Sequence, residues 1–274
     1  MSTPTRIDRR LAQLAREGRK ALVVYLCVGD PDLETSHDTV LAAAAAGADI
    51  IELGVPFSDP IADGPVIQAA SQRALSVGSS LPRALELAAS VRESTDVPLL
   101  LFGYYNPFFR YGDERVARDA TSAGVDGMLC VDLPPEEAEG MVAACRAHGL
   151  DRVFLLAPTS GEDRIEAVAG VASGFVYVVS VTGVTGARSV APSGIEPLVR
   201  RVATATALPV GVGFGISTPE QAVAVAAYAD LVVVGSALVR AIDAAGPSAA
   251  PATCERFVRD FRRALDLAFM GTTG

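Results

Sequence analysis

The residues best placed for chemistry are three carboxylates in one stretch, residues 50–65. An apolar segment, Ala48-Asp49-Ile50-Ile51, reads as a buried strand, and Glu52 stands where that strand should end. The Gly/Pro/Asp-rich loop that follows carries Asp59 and Asp63 and runs up to a helix beginning near Pro65. A carboxylate at the end of an apolar strand is costly unless it is paired or used. A second carboxylate on the adjoining loop gives one pocket two titratable groups in different surroundings, the raw material of general acid/base chemistry. Taken alone, Glu52 could equally be a structural carboxylate bonded to neighbouring backbone amides.

The rest of the inventory narrows the choice. Lys20 is the only lysine and lies just before the first expected strand, so the chain supplies no lysine inside a sheet for Schiff-base chemistry. The only histidines, His37 and His148, fall in expected outer helices, which leaves no zinc site and no base for a serine triad. Carboxylates, hydroxyls and backbone donors remain, and this favours the catalytic reading of Glu52. Two glycine-rich loops, Gly211-Val212-Gly213-Phe214-Gly215 and Gly235-Ser236, could bring backbone N–H groups close to a phosphate, or could simply permit tight turns. Residues 181–189 are glycine-rich and polar. They suit a mobile lid, with Gly186 within reach of the same phosphate, or an ordinary surface connection.

These residues need a scaffold, and the chain alternates accordingly. Short runs rich in Val, Ile and Leu occur at 21–27, 49–53, 97–102, 127–131, 152–156, 175–180, 209–212 and 231–234. Near-continuous apolar strands imply burial on both faces, hence a parallel sheet. Helical periodicity marks 33–46, 82–92, 112–123, 135–148, 162–171, 194–204, 219–228 and 253–270, many of these segments followed by Gly or opened by Pro. Eight such alternations in 274 residues predict an α/β fold, a TIM (β/α)8 barrel formed by residues 1–274 as a single domain. An extra N-terminal helix, 6–17, should cover the bottom of the barrel, and the mobile loop follows strand six. An open doubly wound sheet is the competitor, disfavoured by the lack of a GxGxxG turn after the first strand.

A net charge of −9 argues against nucleic acid as a partner but permits a phosphorylated small molecule held by backbone amides. No apolar run is long enough to span a membrane, and the first residues are polar, so a soluble, cytoplasmic protein is expected. The scattered cysteines, Cys27, Cys130, Cys145 and Cys254, suggest neither disulfides nor a metal; Cys27 and Cys130 read as inert core residues.

One resemblance is specific. Glu52-Leu53-Gly54-Val55-Pro56-Phe57-Ser58-Asp59-Pro60-Ile61-Ala62-Asp63-Gly64-Pro65 is matched, in order, with Tyr105-Asn106-Pro107, Tyr111-Gly112, Asp132-Leu133-Pro134, Gly183-Val184-Thr185-Gly186, Gly213-Phe214-Gly215-Ile216-Ser217 and Gly235-Ser236. Together these motifs resemble the tryptophan synthase alpha subunit family over nearly the whole chain.

The resemblance implies a lyase that cleaves indole-3-glycerol phosphate to indole and glyceraldehyde 3-phosphate by a retro-aldol reaction, without metal or organic cofactor. It implies Glu52 as general acid/base, Asp63 as the acceptor for the indole N–H, Thr185 as the lid residue that holds Asp63, and Tyr177 as a support beside Glu52. Gly186, Gly213, Gly215, Gly235 and Ser236 match the phosphate site, and Tyr25, Leu101 and Phe214 would line an apolar indole slot. It also implies a beta subunit, in an alpha2beta2 heterotetramer whose pyridoxal phosphate belongs to beta alone, docking on a surface that includes Pro56, Asp59, Asn106, Phe109 and Pro134. Two departures stand out: Tyr25 where many relatives carry phenylalanine, and Val181-Thr182 where an arginine is common. A stand-alone lyase releasing free indole shares every catalytic residue. A catalytically silent partner of beta, or an isomerase acting on a phosphosugar, fits the motifs less well.

Overall fold

In the computed structural model, which describes residues 3–179, 195–213 and 215–269, eight parallel strands close into a barrel in chain order, the first hydrogen-bonded to the last. The strands are β1 (Ala21–Cys27), β2 (Ile50–Gly54), β3 (Leu99–Gly103), β4 (Gly127–Cys130), β5 (Asp151–Leu156), β6 (Val176–Val179), β7 (Val210–Gly213) and β8 (Leu231–Val234). The helices that precede and cover the first half are α1 (Arg6–Arg16), α2 (Leu33–Ala45), α3 (Pro65–Ser76), α4 (Leu81–Arg92), α5 (Tyr105–Tyr111) and α6 (Asp113–Ser122). Those of the second half are α7 (Glu139–His148), α8 (Glu162–Val171), α9 (Ile195–Ala205), α10 (Pro219–Ala226), α11 (Ser236–Ala245) and α12 (Ala250–Phe269).

The continuous apolar runs are continuous because both faces are covered. All seven residues of β1 are buried. Leu22, Val24 and Leu26 pack in the outer layer under the helices, whereas Val23 packs inside with Ile50, Leu100, Leu129 and Val233. The two-residue period of a strand makes this alternation obligatory.

Element boundaries moved where backbone geometry overrides periodicity. The helix expected over 112–123 is α6, but a further short helix, α5, runs directly up to it and was not expected; Gly112, with a φ of +96°, separates the two. The helix expected over 135–148 opens instead as a single 3₁₀ turn, Pro135–Glu137, before α7. The last helix begins earlier than expected, at Ala250, with Pro251 in its first turn, where a missing N–H costs nothing.

The N-terminal helix seals the bottom of the barrel, as its sequence suggests. The Thr5 hydroxyl accepts from the Asp8 N–H, and the Thr5 N–H donates to the Asp8 carboxylate, a reciprocal cap that starts α1. Its buried stripe, Ile7, Leu11 and Leu14, packs against the inward side chains of the barrel. Around the same end, aspartates tie strands together. Asp49, Asp126 and Asp230 accept the backbone N–H of Leu22 (2.7 Å), Leu99 (2.9 Å) and Val210 (3.0 Å). Arg262 of α12 and Arg10 of α1 both pair with Asp49, at 2.8 and 2.6 Å. With the bottom closed this way, the C-terminal mouth is left to carry the chemistry.

Candidate active site

Glu52 lies deeper than its sequence position suggests. Strand β2 runs two residues beyond it, to Gly54, so the side chain points into the barrel rather than standing at the rim. Its register partners are Tyr25 on β1 and Leu100 on β3. It is 1% exposed, and its Oε1 has no hydrogen-bond partner among the described residues. Burial pushes its carboxyl up to about 8. The structural alternative, a carboxylate satisfied by backbone amides, is therefore not what this oxygen shows. An unsatisfied buried acid is costly to maintain and marks a site awaiting a partner.

Two tyrosines wall this acid. Tyr25 and Tyr177 are both buried, and both sense its charge. Each ring exists where it does because a glycine faces it: a side chain on Gly54 would overlap the Tyr25 hydroxyl, and one on Gly213 would overlap the Tyr177 hydroxyl. The Tyr25 side chain, a departure from phenylalanine, packs with Cys27, two residues on along the same face of β1. The Cys27 thiol, pushed up to about 12 by burial, stays neutral there.

Asp63 is half-buried on the loop above, held by the chain around it. Its N–H donates to the Pro60 carbonyl (3.0 Å), and its own carbonyl accepts from the Gln68 amide (2.8 Å). Tyr104, at the start of α5, accepts the Ala62 N–H at 3.0 Å and donates its hydroxyl to the Asp63 carboxylate. Phe57 packs on the Tyr104 ring, centroids 5.3 Å apart. Burial raises Asp63 to about 6, the Tyr104 hydrogen bond opposing it. The two acids thus occupy different environments with well-separated affinities for a proton.

The phosphate corner divides into two unlike helix starts. The N-terminus of α10 is satisfied by its own residues: Thr218 accepts from the Gln221 N–H, and Gln221 accepts from the Ser217 N–H. The N-terminus of α11, at Gly235 and Ser236, has no side-chain cap among the described residues, and an uncapped first turn can offer its amides to an anion. Gly215 has a φ of +69° with open space beyond it.

The remaining expected residues divide clearly. Leu101 does not line the slot: strand alternation places it in the outer layer beneath the helices, and its neighbours Leu100 and Phe102 face inward. Phe102 meets the Tyr25 ring edge-on at 5.3 Å. Pro56 is buried and offers no surface, because the loop turns inward there; Asp59 and Asn106 are exposed, Pro134 is half-buried, and Phe109 is 66% exposed. Thr185, Gly186, Phe214 and the lid at 181–189 lie outside the described residues. Sequence reasoning missed Tyr104 and Phe102. Both were discoverable, since the inward phase of β3 is fixed once Glu52 and its register neighbours are set.

With this geometry in place, comparison with known proteins identifies the relatives. The family model described as tryptophan synthase alpha chain matches residues 11–265. The chain belongs to the tryptophan synthase alpha chain family. It is 58% identical over 236 residues to the tryptophan synthase alpha chain of Geotalea uraniireducens, covering 86% of this chain and 88% of that one. It superposes on the tryptophan synthase alpha chain of Legionella pneumophila with a TM-score of 0.90 at 35% identity, covering 99% of this chain and 100% of that one. Against Mycobacterium tuberculosis tryptophan synthase the values are 0.89 and 37%, covering 96% and 99%. The tryptophan synthase alpha chain is a carbon–carbon lyase of tryptophan biosynthesis, and so is this member.

Proposed function

We propose that Glu52 and Asp63 divide the cleavage of indole-3-glycerol phosphate between them. The observation that carries this reading is the orphaned Oε1 of Glu52, buried at the barrel centre and still protonated near neutral pH. Glu52 gives its proton to indole C3, making the indolenine cation. Asp63, ionised above about 6, accepts the ring N–H and stabilises the positive charge that appears on it. Glu52, now a carboxylate, takes the proton of the side-chain hydroxyl. That oxygen forms a carbonyl, the C–C bond breaks, and its electron pair returns to the ring, releasing indole and glyceraldehyde 3-phosphate. No group beyond the chain is required for the balance.

In this reading the amides at Gly235 and Ser236 hold the phosphate, with Gly215 and Gly186 beside it. Gly213 serves indirectly, by admitting the Tyr177 ring. Tyr25, Phe102, Leu100 and Phe214 wall the indole, and Thr185 holds Asp63 when the lid is closed. No helix among the described residues is long and apolar enough to cross a membrane. The partner is a tryptophan synthase beta subunit, in an alpha2beta2 assembly, met by the exposed Ile61 and Phe109 with Asp59, Asn106 and Pro134 around them. Pyridoxal phosphate belongs to that subunit.

Indole release by the purified chain, with and without a beta subunit, tests the reading. Glu52→Gln should lower cleavage by at least ~10³-fold while leaving the fold intact; near-native turnover would remove Glu52 from the chemistry. Fast cleavage indifferent to beta would instead support a stand-alone lyase.

A further inference from the structure

Three elements that reach the site from different directions converge on one side chain away from it. Arg73, on α3, places Nε 2.7 Å from Asp30 Oδ1 and Nη2 2.9 Å from Asp30 Oδ2, a bidentate pair with a carboxylate that is 5% exposed. Its remaining nitrogen, Nη1, lies 3.3 Å from Asp243 Oδ1 on α11. Asp30 sits in the turn after β1, bonded back to the Cys27 carbonyl at 3.2 Å. The same turn is fixed to the end of α3 a second time, where the Ser79 hydroxyl donates to the Val28 carbonyl at 2.6 Å. Small residues on α3, Ala70 and Ala74, let that helix pack closely over Tyr25, Cys27 and Val239 of α11.

The consequence is geometric. Helix α3 is the continuation of the loop that carries Asp63, and α11 begins at Ser236, two helical turns, about 10 Å, before Asp243. We infer that Arg73 is a positioning residue that couples the phosphate corner to the Asp63 loop, by holding α11, α3 and the β1 turn in one register. Occupation of the α11 amides then steadies the carboxylate loop before the indole ring is engaged. A guanidinium suits this role because its rigid fork fixes the angle of both arms, which a lysine cannot do. This inference rests on the phosphate site proposed above.

The test separates the arms. Removing Arg73 strands the buried Asp30, so that variant would lose stability along with any coupling. Asp243→Asn removes the charge that holds the exposed α11 arm and leaves the Arg73–Asp30 pair in place; Arg73→Lys keeps the charge and loses the fork. The probe is glycerol 3-phosphate, which carries the phosphate without the indole, added to the full chain. Hydrogen exchange of amides 61–68 is followed with and without it. In the native chain the probe should slow their exchange severalfold. In Asp243→Asn it should bind within about threefold of native affinity, yet lose at least half of that protection, and kcat should fall while KM changes little. Arg73→Lys should lie between. Undiminished protection in Asp243→Asn, with binding intact, would overturn the coupling alone. Failure of the probe to bind the native chain, or binding unaffected by Ser236→Tyr, would overturn the phosphate site and the coupling with it.

Discussion

Glu52 and Asp63 differ by about two units in their affinity for a proton, and the difference has a kinetic signature. Glu52 must start protonated and titrates at about 8; Asp63 must start ionised and titrates at about 6. Cleavage should therefore rise as pH passes 6 and fall as it passes 8, a bell in kcat/KM. Asp63→Asn should lower the rate and flatten the acid limb while leaving the alkaline limb in place; a native-shaped profile would remove Asp63 from the titration. The facing glycines give a second expectation. Gly54→Ala forces the Tyr25 ring away from its position beside Glu52, and a displacement near 1 Å at a reacting group costs on the order of 10²-fold. Rates for Gly54→Ala, and for the double variant with Tyr25→Leu, check whether the clash is the cause. At this scale the sequence was informative about identity and less so about depth. Glu52, Asp63 and Ser236 were readable as candidates, from residue type and place in the alternation alone. That Glu52 sits inside the barrel rather than at its rim depended on how far β2 continues, and the error at Leu101 was one residue of strand phase, which inverts a side chain completely.

The aspartates at the bottom are not equivalent. Asp49 and Asp126 each have an arginine, but the buried Asp151, at the start of β5, has the Thr5 hydroxyl and Ser173 in place of a cation. Burial raises its carboxyl from 3.8 to about 6, with Asp8 adding to the effect. The sign follows directly. Below pH 3.8 the group is protonated in folded and unfolded chains alike and costs nothing. As pH rises through 6 the unfolded chain has already ionised, so folding bears the full cost, roughly 3 kcal/mol. Asp151→Asn should therefore stabilise the protein at pH 7.5 by about that amount and make little difference at pH 4, measured by urea unfolding at both values. A stabilisation equal at the two pH values would refute the cause. The elements themselves were the most legible level, because eight buried strands with Gly- and Pro-punctuated helices leave few architectures. What periodicity does not report is a short element such as α5, two turns ending at Gly112, which is too brief to show a repeat of its own.

At the scale of the molecule, the mouth of the barrel carries two kinds of surface. Within it are a buried acid, a half-buried one and a helix start with no side-chain cap among the described residues; beside it are the most exposed large apolar side chains near the site, Ile61 at 88% and Phe109 at 66%. Tyr104 joins the two, since it contacts the Asp63 loop while opening the helix that carries Phe109. A partner seated there would press on the loop that holds Asp63. Phe109→Asp should weaken association with the beta subunit by about 2 kcal/mol, some thirtyfold, as expected for an aromatic anchor. Its unfolding midpoint should move by less than ~0.5 kcal/mol, because the side chain is exposed. Titration calorimetry against beta reads the first and denaturation the second; unaltered affinity would place the docking surface elsewhere.

Arg262 of α12 donates to the carbonyl of Lys20, 242 positions away, and pairs with Asp49, 213 positions away. The barrel's bottom is thus fastened by contacts between segments made early and a helix made more than two hundred residues later. On a ribosome, the early strands would emerge with their apolar faces open and stay so until α12 clears the exit tunnel. Nascent chains stalled before Arg262 should consequently be bound by holdase chaperones, and release should coincide with emergence of that one helix.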